Sequence, residues 1–148
     1  MALLADIFTN KIVISVILSF ILANVIKMVF NYLAYDAWDF SVFFRTGGMP
    51  SLHAASVSSM TTAVYLLEGS TTLFYVCLVV TSIIISDAIG IRRSAGKQAR
   101  VLNKMVDEFK YFKRFKAKRL HELLGHTPRQ VFTGMIIGIL VARIVFLF

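Results

Sequence analysis

Four apolar stretches, each near the length that crosses a bilayer, limit what this chain can fold into more than any other feature. Residues 12–33 carry one charge, Lys27, and roughly 20 apolar residues suffice to cross the hydrocarbon core. Comparable stretches cover residues 51–67, 71–87 and 130–148. The predicted fold class is all-α: one integral membrane helical bundle over residues 1–148, with about four transmembrane helices plus a cytoplasmic amphipathic helix. A hydrophobic content of 57% and a mean hydropathy of +0.75 exclude an ordinary soluble domain. Asp6 stands before the first span and no small-residue cleavage site follows it, so an uncleaved anchor is expected rather than a signal peptide.

The net charge of +8 is concentrated: eleven of the sixteen Lys and Arg residues lie between Arg92 and Arg119. Such a block between spans reads as a positively charged cytoplasmic loop, residues 90–125, with anionic membrane lipids as partners and no nucleic acid. Within Lys97–Leu124 the apolar Val101, Met105, Phe109, Phe112 and Leu123 recur at helical spacing against Lys104, Lys110, Lys113, Arg114, Lys118 and Arg119. This is the pattern of a helix lying on an anionic membrane surface; a calmodulin-target helix has the same pattern. Counting spans outward from this loop places both termini outside and the connector before His53 on the loop's own side. The single cysteine, Cys77, can form no intrachain disulfide.

Polar residues inside the spans are costly and face a protein interior or a wet cavity. Asn24, Lys27 and Asn31 share one face of the first span. Lys27 is a candidate phosphate ligand, with snorkelling to the interface as the alternative. Tyr35–Thr46, with Trp38 and several other aromatics, reads as an interfacial connector. Gly47 and Gly48 allow a sharp turn and a close approach to a ligand. The hydroxyls of Ser56, Ser58, Ser59, Thr61 and Thr62 in the second span favour close helix packing. Gly134 and Gly138 give the last span a small-residue face for helix contact, and for a homo-oligomer through that face.

Two histidines stand at two helix starts. His53 closes Gly47-Gly48-Met49-Pro50-Ser51-Leu52-His53, and His126 precedes Pro128, which suits a first helical turn. Imidazole can attack phosphorus or transfer a proton near neutral pH, and a helix N-terminus favours an anion. Arg92 and Arg93 can hold a phosphoryl group through paired N–H donors, although arginines at a span end are also common topology anchors. Asp87 is expected to orient one arginine or histidine. His121 reads as a solvated helix residue. No metal-ligand cluster appears, so the expected chemistry needs no metal and no cofactor.

At these positions the chain resembles a known family. His126-x-Pro128-x-x-Val131-x-x-Gly134 and Pro50-Ser51-x-His53 are similar to the last two motifs of the type 2 phosphatidic acid phosphatase superfamily, which includes the vanadium haloperoxidases. Asp87-x-x-Gly90-x-Arg92-Arg93-x-Ala95-Gly96-x-Gln98-Ala99 and Leu102-Asn103 resemble its small divergent branch. The resemblance implies a lipid phosphatase with His126 as nucleophile and His53 as acid and base. Arg92, Arg93, Lys27, Ser51 and Gly48 would bind phosphate. Two positions depart from the superfamily pattern. The Arg-Pro that follows the first-motif lysine is missing, since residue 34 is Ala34. Gln130 stands where an aspartate usually orients the nucleophile; its amide oxygen can accept the ring N–H, but it cannot stabilise imidazolium as a carboxylate does. Asp87 or Glu122 are the acids available to substitute.

The function expected is hydrolysis of a phospholipid phosphomonoester, phosphatidylglycerophosphate or phosphatidic acid, through a phosphohistidine at the cytoplasmic leaflet. Two alternatives stay open: a polyprenyl phosphate or diphosphate phosphatase, and a catalytically silent protein that binds anionic lipids.

Overall fold

The computed structural model describes residues 7–43, 47–111, 120 and 125–148, the side chains of 109–111 excepted. Among these residues the chain is all-helical. Helix α1 spans Lys11–Tyr35, a short 3-10 helix Phe40–Phe43, α2 Leu52–Glu68, α3 Thr72–Ile89, α4 Ile91–Tyr111 and α5 Pro128–Leu147.

Each span begins where a short polar side chain can satisfy N–H groups that a helix start leaves open. Asn10 Oδ1 accepts from Ile12 N–H at 2.9 Å and Val13 N–H at 3.4 Å. Ser51 caps α2, Thr71 caps α3, and Thr127 caps α5. The α5 cap is reciprocal, because the Gln130 amide oxygen accepts from Thr127 N–H at 2.9 Å while Thr127 Oγ1 accepts from Gln130 N–H at 3.4 Å. Helix α1 ends at Asp36, which takes a left-handed conformation with φ 52°.

Among the described residues three helices are long and apolar enough to cross a membrane: α1, α3 together with its continuation into α4, and α5. Helix α2, expected as the second span, has 17 residues. It rises about 26 Å, just short of a typical hydrocarbon core. It is also the innermost helix, with Ala54, Ala55, Ser58, Ser59, Ala63 and Val64 all buried.

Lipid is as apolar as leucine, so helices in a membrane associate by close packing of small residues. The contact between α2 and α5 is built this way. A Cβ added at Gly134 would strike the Ser51 carbonyl, and one at Gly138 would strike the Ala55 carbonyl and lie 2.9 Å from Ser59 N. The paired steps, 134 with 51 and 138 with 55, make the two helices parallel. The Gly134 and Gly138 face therefore packs against α2 within the chain. On α1, Ser15, Ser19, Ala23 and Asn24 form the matching buried stripe, while Ile17, Ile21, Val25 and Val29 are exposed toward lipid.

The basic segment also differs in its bounds. Its helix starts at Ile91, directly after Gly90 breaks α3, and runs to Tyr111. Val101, Leu102 and Met105 remain exposed along it. Phe112, Lys113, Arg114, Lys118, Arg119, His121, Glu122 and Leu123 lie outside the described residues.

Candidate active site

Parallel α2 and α5 begin at the same end of the bundle, and α3 ends there. Their junction is held by backbone bonds. Ser51 N–H donates to the Gln130 carbonyl at 3.0 Å, and His126 N–H donates to the Ala88 carbonyl at 3.0 Å. Gly125, with φ 84°, lets the chain before His126 lie directly on the backbone of Arg92 and Arg93, where any Cβ would collide. These contacts bring three distant segments to one cleft.

Gly47, His53, Ile84, Asp87, Ala88, Arg92, Gly125 and His126 line that cleft. His53 is exposed in the first turn of α2, and His126 is 7% exposed. Arg92 is half-exposed and forms an ion pair from its Nε to Asp87 Oδ2. Asp87 thus orients an arginine rather than His126.

A second cavity, of ≈ 500 Å³, adjoins the cleft at Gly47 and is lined also by Lys27, Phe30, Asn31, Ala34, Tyr35, Asp39, Val42, Gly48 and Met49. The cleft itself holds only ≈ 40 Å³, space for little beyond a water molecule. Lys27 lines the second cavity, near enough for its charge to act on His126. It is 5% exposed, and a Cβ on Gly48 would lie 3.1 Å from its Cε. The lysine is therefore turned into the protein beneath the Gly47-Gly48 turn, whose φ angles of 94° and 86° suit glycine.

Burial is the largest influence on the His126 imidazole and holds its pKa below the ordinary 6.5. The neighbouring Gln130 side chain and the Gly48 backbone oppose this, while the His53 and Lys27 charges push it further down. The Gln130 amide oxygen accepts from Thr127 N–H in the helix cap, and the same side chain is the hydrogen-bonding neighbour that raises the His126 pKa. His126 Nδ1 is buried without a hydrogen-bond partner among the described residues.

The structure thus brings together His53, His126, Arg92, Asp87, Gly48 and Lys27. It does not bring in Ser51 or Arg93. Ser51 is fully buried, its hydroxyl accepting from Ala54 N–H at 3.4 Å, and it lines neither space. The Ser51 hydroxyl is thus engaged in starting α2. Arg93 also lines neither space, and its contribution is the backbone on which Gly125 rests.

Asn103 entered the sequence reading only as part of the Leu102-Asn103 motif, and the structure gives it a contact. It is 4% exposed; its Nδ2 donates to the Leu120 carbonyl and its Oδ1 accepts from Leu120 N–H, both at 2.9 Å. It fastens the chain to α4 six residues before His126. An asparagine inside an amphipathic helix, where its amide has no helical use, was a second signal.

Residues 8–141 match the family described as the Divergent PAP2 family. The chain is also 38% identical over 151 residues to the Uncharacterized membrane protein YuiD of Bacillus subtilis (strain 168), an alignment covering 94% of this chain and 96% of that protein. No solved structure matches. The family match reaches every helix of the bundle, from α1 through most of α5, and so takes in both histidine segments and the scaffold that joins them: the chain is a multi-pass membrane protein and belongs to the Divergent PAP2 family.

Proposed function

We propose that this protein is a lipid phosphatase that hydrolyses a phospholipid phosphomonoester, phosphatidylglycerophosphate or phosphatidic acid, through a phosphohistidine. The observation that carries this reading is the meeting of His53, His126 and Arg92 in one cleft, from segments more than thirty residues apart in sequence. His126 attacks phosphorus and the ester P–O bond breaks. His53 gives a proton to the departing alkoxide. Water then attacks the phosphohistidine, with His53 accepting its proton, and inorganic phosphate leaves. Arg92 and Lys27 neutralise the phosphoryl oxygens. The adjoining cavity supplies room for the alcohol part of the lipid.

The cytoplasmic leaflet is the proposed location, because the basic helix α4 grows from the same end of the bundle as the cleft. Its exposed Val101, Leu102 and Met105 would dip into that leaflet, with Lys97, Arg100 and Lys104 at anionic headgroups.

The test is phosphate release by purified protein in detergent across phosphatidic acid, phosphatidylglycerophosphate and polyprenyl phosphates. His126→Ala should reduce release to background, and His53→Ala should lower it by about 10²–10⁴. Wild-type activity in either variant removes that histidine from the mechanism. A second reading, a silent protein that binds anionic lipids, draws on the unpartnered His126 Nδ1. Absence of release on the whole panel, with lipid binding retained, would establish it instead.

A further inference from the structure

A third space lies away from the histidines, between α2, α3 and α5. It measures ≈ 330 Å³ and is lined by Ser58, Tyr65, Leu66, Phe74, Ile139 and Arg143 among others. Arg143 is the sixteenth residue of α5. At 1.5 Å per residue it stands about 22 Å from the helix start beside the cleft. The space therefore sits at the far end of the bundle, near the opposite leaflet.

A mostly apolar groove at membrane depth is filled by hydrocarbon, since water gains nothing there. Its polar groups then select the headgroup. Arg143 is exposed into the groove and has no ion-pair partner among the described residues. A guanidinium so placed is costly without an anion. Ser58, 5% exposed, keeps a hydroxyl with no hydrogen-bond partner. The neighbouring Thr61 and Thr81 hydroxyls satisfy each other at 2.8 Å. One buried donor and one cation thus face the groove, as an ester carbonyl and a phosphate would require.

We infer that this groove binds one anionic phospholipid of the leaflet opposite the histidine cleft, with an acyl chain along Leu78, Ile139 and Met135 and its phosphate on Arg143. This site is separate from the phosphatase reading and does not depend on it.

The test uses the full chain in lipid nanodiscs with Trp38→Phe and Phe74→Trp, so that the sole tryptophan reports from the groove. Phosphatidylglycerol with brominated acyl chains should quench it at about fivefold lower mole fraction than brominated phosphatidylethanolamine. Arg143→Met should abolish that preference and Arg143→Lys should retain it. Equal quenching by the two lipids, or a preference that survives Arg143→Met, overturns the proposal. Should Phe74→Trp fail to fold, Leu66→Trp on the facing helix gives the same readout.

Discussion

At the scale of single residues the site turns on His126 and on what its neighbours do with their hydrogen bonds. Burial lowers its pKa, so the neutral imidazole that the proposed attack requires persists as pH falls through 6.5. The acid limb of kcat/KM that belongs to this group should therefore lie below 6.5, read from phosphate release between pH 4.5 and 8. A limb centred above 6.5 would assign it to another group. The same shift has a stability sign. Below 6.5 the unfolded chain takes up the proton before the native one does, so His126 lowers stability as pH falls past that point, and His126→Ala should flatten this dependence. Gln130 has a part in the helix start as well as beside the imidazole. Its side chain closes the α5 cap, so Gln130→Ala should cost about 1 kcal/mol of stability, seen as a lower Tm. An unchanged Tm would remove the cap role. The residue types were legible in the sequence: a histidine after glycine and before proline, an Arg-Arg pair, a lysine inside a span. Their partners were not, because an amide such as Gln130 serves equally as a cap or as an orienting group, and only the positions of competing donors decide.

At the scale of elements, the pairing of α2 with α5 sets the histidines at one level. Each glycine of the pair admits a backbone carbonyl of the other helix, and no side chain fits there. Gly138→Leu should separate the helices and destabilise the protein by at least the 1–3 kcal/mol typical of overpacking. Thermal unfolding in detergent measures this, and a Tm within one degree of wild type would show that α5 sits elsewhere. Helix positions and starts were largely readable, since apolar length, Ser, Thr or Asn caps and Pro128 at an N-terminus are local signals. What α2 does was less so: its hydroxyl-rich, 17-residue sequence reads as a span, and only its neighbours make it the innermost helix.

For the whole molecule, orientation in the membrane decides which lipids can reach the cleft. The clustered basic residues of α4 and the segment after it favour the cytoplasmic face, and Ser94, exposed near the cleft end, can report it. In a Cys77→Ser background, Ser94→Cys should resist an impermeant thiol reagent in intact cells and react after lysis; labelling in intact cells would place the cleft outside and favour polyprenyl phosphates. The sequence by itself determined an all-helical membrane protein, its family, the chemistry of its candidate residues and the side their charges prefer, because hydrophobic length, charge and helix caps act over short stretches of chain. Only the tertiary structure decided that His53, His126 and Arg92 line one cleft with Lys27 in the cavity beside it, and that Gly134 and Gly138 pack against α2. Those outcomes depend on which helix faces lie together, and that is fixed by packing between segments many residues apart, which no local stretch encodes.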